Sequence, residues 1–223
     1  QRFPLTVRSL AGNLSGALFP AASLHDREQD MPRLRGVLVT GTRWIVVFSL
    51  PLCLVLGIIA PHLLHAWVGE ASPETVLVLR LAAATVFFDA LTGASLEVLW
   101  GRGITWTVVA FFLGFTGLSL VIVMLLVSTS GMAGAAWGMC LSMACRSCAV
   151  VHLACRACAG RFIALVGATF RGLLFPSLCA AAATLAVAHL ARPEGWAGVV
   201  GAALAGGTAY AAGLYVLGGR AQE

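Results

Sequence analysis

The sequence predicts an all-α, polytopic membrane protein of about seven transmembrane helices, and three observations carry that prediction. The 223-residue chain is 60% hydrophobic and only 10% charged, with a mean hydropathy of +0.94, whereas soluble domains carry about a quarter charged residues. Ile104–Val127, ITWTVVAFFLGFTGLSLVIVMLLV, contains no ionisable residue and exceeds the roughly 20 helical residues that cross a hydrocarbon core about 30 Å thick. The charges that remain collect in the connecting segments. All fourteen cations are arginine, and with abundant Ala and Gly this composition suits a GC-rich bacterial genome.

Taken in order, the first predicted span is Phe3–Leu24, an apolar stretch interrupted by Arg8 and Pro20. Val37–Ala60 follows a charged segment and carries one cation, Arg43. Val76–Leu99 holds Arg80, Asp89 and Glu97 within an otherwise apolar run. The uncharged stretch Ile104–Val127 is bounded by the turn-forming segments WGRG and STSG. Met132–Cys155 opens with Gly134 and Gly138, small residues at the four-residue spacing that lets helix backbones approach closely. Leu173–Ala191 and Trp196–Leu217 complete the set, the former containing Pro176, which membrane helices tolerate where neighbours satisfy the freed carbonyl.

The connecting segments alternate in charge. His25–Gly36, Trp100–Gly103, Arg156–Arg171 and the C-terminal tail together carry eight arginines, whereas Pro61–Glu74, Ser128–Gly131 and Arg192–Gly195 carry Arg192 alone. Short cytoplasmic loops are enriched in Lys and Arg, so the first set is expected to face the cytoplasm of a bacterial inner membrane, with a cytoplasmic C-terminus. Gln1 then lies outside, and a chain entering there with no signal peptide leads to the expectation of a further helix upstream. The arginines are dispersed between spans rather than clustered in a groove, which argues against nucleic acid as a partner.

The stretch CRSCAVVHLACRAC, Cys145–Cys158, has the look of a metal knuckle. On a helix, however, Cys145 and Cys155 stand about 15 Å apart along the axis at 1.5 Å per residue, and one zinc ion accepts thiolates at about 2.3 Å. No metal and no cofactor are expected, and the cysteines read as small apolar packing residues. His62 and His65 in PHLLH read similarly as part of an interfacial helix with Trp67 in the aromatic belt.

Charges within spans raise a functional expectation because their burial in lipid is costly. Asp89 and Glu97, eight residues apart, lie about 80° apart around a helix, with Asp89 the more central. The carboxylate has two readings, a proton or cation site facing a hydrated cavity and a structural ion pair with an arginine of another span. Arg8, Arg43 and Arg146 are candidate ligands for a lipid-linked phosphate, since the guanidinium donates two parallel hydrogen bonds; snorkelling to the cytoplasmic interface is the other reading of Arg43 and Arg146. No catalytic residue is expected.

Three stretches resemble one family: LFPAASLHDREQDMPRLRG, LLHAWVGEASPE and STSGMAGAAWGMCLSM. In order and spacing they are similar to the second half of the O-antigen-type polysaccharide flippases of the multidrug/oligosaccharidyl-lipid/polysaccharide exporter superfamily. The resemblance covers about Leu18–Met143 and extends to the end by helix count. It implies one transmembrane bundle spanning 1–223, a partial transporter lobe without its N-terminal counterpart. It also implies an undecaprenyl-pyrophosphate-linked oligosaccharide as cargo, alternating access rather than enzymatic chemistry, contact with membrane lipids, and polysaccharide polymerase machinery as a partner. A cation-coupled multidrug exporter is the alternative within the superfamily. An enzyme or inactive scaffold of polysaccharide assembly is the alternative outside it.

Overall fold

The computed structural model describes residues 31–69, 72–170, 172–190 and 196–220. Among them there is helix and turn but no strand. The elements are α1 (Met31–Val68), α2 (Pro73–Gly101), α3 (Thr105–Ala157), α4 (Phe162–Phe170), α5 (Leu174–Leu190) and α6 (Trp196–Arg220). Four of them, α1, α2, α3 and α6, contain stretches long and apolar enough to cross a membrane, and the bent pair α4 and α5 makes a fifth if it serves as one span. The predicted total of seven included Phe3–Leu24, which with Arg8 lies outside the described residues.

Helix α3 is 53 residues long, about 80 Å if straight, and it does not run straight. Gly131 has φ 57° and ψ −133°, a conformation open to glycine because it lacks a Cβ. The chain folds back there. A Cβ placed on Gly134 would strike the backbone carbonyl of Leu126, and one on Gly138 would lie 3.0 Å from the Cα of Val123. These approaches pair the residues before and after the turn antiparallel, so Thr105–Ser130 and Met132–Ala157 are two legs of a tight hairpin. The predicted spans Ile104–Val127 and Met132–Cys155 are those legs, and STSG is the turn.

The chain divides into two compact units. Among the described residues the first comprises 31–49 and 85–170, the second 50–84, 172–190 and 196–220. The first unit has its core at one end, where Leu34 and Leu38 of α1, Leu99 of α2, and Val108 and Ala154 of the two α3 legs bury together with Leu165 of α4. At that same end Arg102, in the turn after α2, donates from Nη1 to the carbonyl of Ala157, and Arg35 lies against Gly160. Arg156 and Arg161 flank Gly160 in sequence. Cations near a helix C-terminus meet its unpaired carbonyls and the negative end of its dipole. The arginines of three predicted cytoplasmic segments therefore gather at one end of this unit, and the Gly131 turn occupies the other end of the hairpin.

In the second unit α5 packs on α6, and Val55 and Ile59 bury against Val199 and Ala202. Helix α1 continues to Val68 through Pro51 and Pro61, where Pro61–Glu74 was expected to be a connecting segment. Proline removes the N–H that would bond the carbonyl four residues earlier, and for Pro61 that carbonyl belongs to Gly57. Arg80 of α2 supplies the missing donor, its Nε 3.0 Å from Gly57 O. Arg80 thus acts laterally on a broken ladder. The expected connection Arg156–Arg171 is also corrected. Its apolar FIALVGATF folds as α4, held to the preceding leg through Leu165.

Candidate functional site

Two opposite charges meet in the first unit at the depth of the helix mid-sections. Asp89 lies twelve residues before the end of α2 and Arg146 eleven before the end of α3, each about 17 Å along its axis. Because both helices finish at the arginine-rich end, equal distances bring the side chains level. Arg146 Nη2 donates to Asp89 Oδ1 at 3.0 Å, with the side chains 19% and 18% exposed. The same nitrogen faces Met143 Sδ, and the guanidinium carbon sits 4.8 Å from the centre of the Phe112 ring. Thr92 donates to the Asp89 carbonyl at 2.6 Å.

This arrangement corrects the snorkelling reading of Arg146, whose charge is held laterally by a carboxylate and a ring face. The arginine of another span that pairs with Asp89, unnamed at the level of sequence, is Arg146. Glu97 lies half-buried one turn before the end of α2, apart from the pair. Arg43 is exposed on α1, beside the stacked rings of Trp44 and Phe48 at 5.9 Å. The structure brings together Asp89 and Arg146 and no other pair of the expected site residues that fall within the described chain.

Beside the pair is a cavity of about 200 Å³. Its polar wall is Thr85 of α2, Thr116 and Ser119 of the first α3 leg, and Ser142 and Arg146 of the second. Its apolar wall is Phe115 and Leu120 from the first leg with Met139 and Met143 from the second. Ser142 is only 7% exposed. Its Oγ and the buried Nε of Arg146 have no hydrogen-bond partner among the described residues. Buried polar atoms are nearly always partnered; these two are exceptions, closed off beneath the cavity wall. Sequence reasoning missed the hydroxyls, because serine and threonine in an apolar run read as helix-packing residues; the signal was their clustering within one turn of Arg146 and on the facing leg. A larger depression of about 380 Å³ along the first leg, at Ala110, Phe111 and Leu118, holds no ionisable group and, Thr107 aside, offers apolar contact.

The CRSCAVVHLACRAC stretch lies on the second leg as continuous helix up to Ala157. Cys145, Cys148 and His152 are exposed, while Cys155 and Cys158 turn into the core of the first unit. No disulfide joins the cysteines among the described residues. No group of three or more His, Cys, Asp or Glu that would hold a metal ion occurs among the described residues. His62 and His65 lie near the end of α1, the former half-buried and the latter exposed.

The chain matches no protein-family model, no curated protein and no solved structure.

Proposed function

We propose that this chain belongs to a bacterial inner-membrane transporter that moves a lipid-linked oligosaccharide across the bilayer in cell-surface polysaccharide assembly. The observation that carries this reading is the Asp89–Arg146 pair beside a hydroxyl-lined cavity, roughly midway along apolar helices. Polar and ionisable groups at that depth are expensive and characteristically line substrate pathways. Non-covalent passage fits the site, which among the described residues pairs no nucleophile with a base. The flippase resemblance names the cargo class, an undecaprenyl-pyrophosphate-linked glycan. The asymmetric distribution of arginine supports a cytoplasmic C-terminus.

The test is made in the cells that carry the gene. Replacing the pair by apolar side chains of similar size, Asp89→Leu with Arg146→Met, removes the buried charge without leaving one partner stranded. Surface polysaccharide is expected to fall several-fold while lipid-linked oligosaccharide accumulates. Unchanged polysaccharide at normal protein abundance would overturn the reading. The same cells becoming sensitive to organic cations, with polysaccharide intact, would point to the exporter alternative.

A further inference from the structure

The arginine-rich end of the first unit gathers cations that its own carboxylates do not answer. Arg35, Arg156 and Arg161 are all exposed, and none forms a hydrogen bond or ion pair among the described residues. They collect about one turn. After Ala157 the backbone closes with Ala159 N–H donating to the Arg156 carbonyl at 3.2 Å and Gly160 N–H to that of Cys155 at 2.7 Å, which seats Arg161 beside the turn. Arg35 reaches the same place from α1, its Nε 3.6 Å from where a Cβ on Gly160 would stand. The described carboxylates of this unit are Asp89, held at mid-depth by Arg146, and Glu97, half-buried and in no ion pair. Like charges brought together repel, and an anion from outside the chain relieves them.

We propose that this turn and the exposed face of α4 bind an anionic phospholipid of the surrounding bilayer, its phosphate among the arginines and an acyl chain along the helix. The site is separate from the Asp89–Arg146 pair and does not rest on what the chain transports.

Two observations single out a lipid. The first is depth. Trp100, the penultimate residue of α2, and Trp106, the second of α3, stand on either side of the Arg102 turn and are exposed, Trp106 to 86%. Tryptophan collects where headgroups meet acyl chains, because its ring is apolar and its N–H needs a polar partner. The two indoles therefore mark the arginine-rich end as the headgroup level.

The second is the outward side of α4. Leu165 and Thr169 turn inward, and Phe162 meets the His152 ring edge-on with centroids 6.0 Å apart. That leaves Ile163, 84% exposed, on one face with Ala164, Gly167 and Ala168. This apolar face begins two residues after Arg161. A soluble anion would use the arginines and leave Ile163 in water. A phospholipid answers both, since its phosphate oxygens accept from the guanidinium forks and its chain covers the apolar side.

The experiment titrates the purified chain in neutral detergent with phosphatidylglycerol or phosphatidylcholine and counts bound lipid by native mass spectrometry. Phosphatidylglycerol is expected to bind at least about tenfold more tightly, the gain of a few cations acting at an anionic headgroup, and to lose much of that advantage at high salt. Arg35→Gln, Arg156→Gln and Arg161→Gln are each expected to lower its affinity by up to about fivefold while leaving phosphatidylcholine unchanged. The triple glutamine variant is expected to abolish the preference and the triple lysine variant to keep most of it. Ile163→Asn is expected to weaken both lipids alike, because the acyl contact is common to them. Arg161→Gln changes one exposed side chain ahead of α4, so the site stays testable should the triple variant fail to fold. Equal affinity for the two lipids would overturn the proposal, as would a preference that no glutamine variant reduces. Displacement of phosphatidylglycerol by inorganic phosphate, with ionic strength matched by chloride, would show instead that the arginines hold a free anion. Neither lipid is a polysaccharide precursor, so failure of the transport reading would leave these results standing.

Discussion

At the residue scale, Asp89 and Arg146 bring opposite charges together within the mid-sections of apolar helices. Sequence alone places both at depth, because an apolar run of known length fixes how far a residue lies from its ends. It does not pair them, since 57 residues separate them and the chain offers several arginines of equal chemistry. The legible clue is their equal distance from the helix ends at the arginine-rich side. Removing one partner of a buried pair strands the other charge, at about 3 kcal/mol. Arg146→Ala is therefore expected to lower the melting temperature of the detergent-solubilised chain sharply, and Asp89→Leu likewise. The double variant Asp89→Leu with Arg146→Met is expected to recover most of that loss. A double variant as unstable as the sum of the two singles would show that the residues act independently.

At the element scale, the hairpin and the proline break show what apolar periodicity reveals and what it hides. The small residues of GMAGAAWG announce a close approach, and the structure supplies its target, the backbone of Leu126 and Val123 on the facing leg. Gly134→Ala is expected to destabilise by about 1–3 kcal/mol through overpacking. Gly117→Ala, whose added Cβ meets open space, is expected to be neutral or stabilising by about 0.5–1 kcal/mol. Thermal unfolding of both variants checks the contrast, and equal effects would refute the close-packed turn. The continuation of α1 through Pro61 was not legible, because proline in a sequence reads as a break and the compensating donor, Arg80, is 23 residues away. If Arg80 stands in for the N–H that Pro61 lacks, Arg80→Ala should cost about 1–2 kcal/mol. In a Pro61→Ala background, where the helix supplies its own N–H to Gly57, the same change should cost much less. A double-mutant cycle with no coupling between Pro61 and Arg80 would separate the two. The nine residues of α4 were hidden for a plainer reason: a run that short, FIALVGATF, carries too little periodicity to be told from a loop.

At the scale of the whole molecule, the uneven distribution of arginine becomes a statement about orientation. Loop composition separates two sets of segments, and the first unit draws the arginines at the start of α1, the end of α2 and the end of the hairpin to one end. Each α3 leg has about 26 residues on either side of Gly131, about 39 Å of helix, enough to place the turn and the arginine end on opposite sides of a core about 30 Å thick. If arginine-rich segments stay in the cytoplasm, the turn at Thr129 is outside and Arg161 is inside. Both residues are exposed, and both lie in one unit, so the comparison does not depend on how the units are arranged. With the native cysteines replaced by alanine or serine, Thr129→Cys is expected to react with a membrane-impermeant maleimide in intact cells. Arg161→Cys is expected to react only after permeabilisation. The reverse pattern would invert the orientation, and labelling of both sites in intact cells would mean that the second leg does not cross the bilayer. Cysteine at Thr129 alters one exposed hydroxyl that bonds only its own helix, and cysteine at Arg161 removes one of several cations at its end. Neither change should reorient the chain, so the labelling reports the native topology.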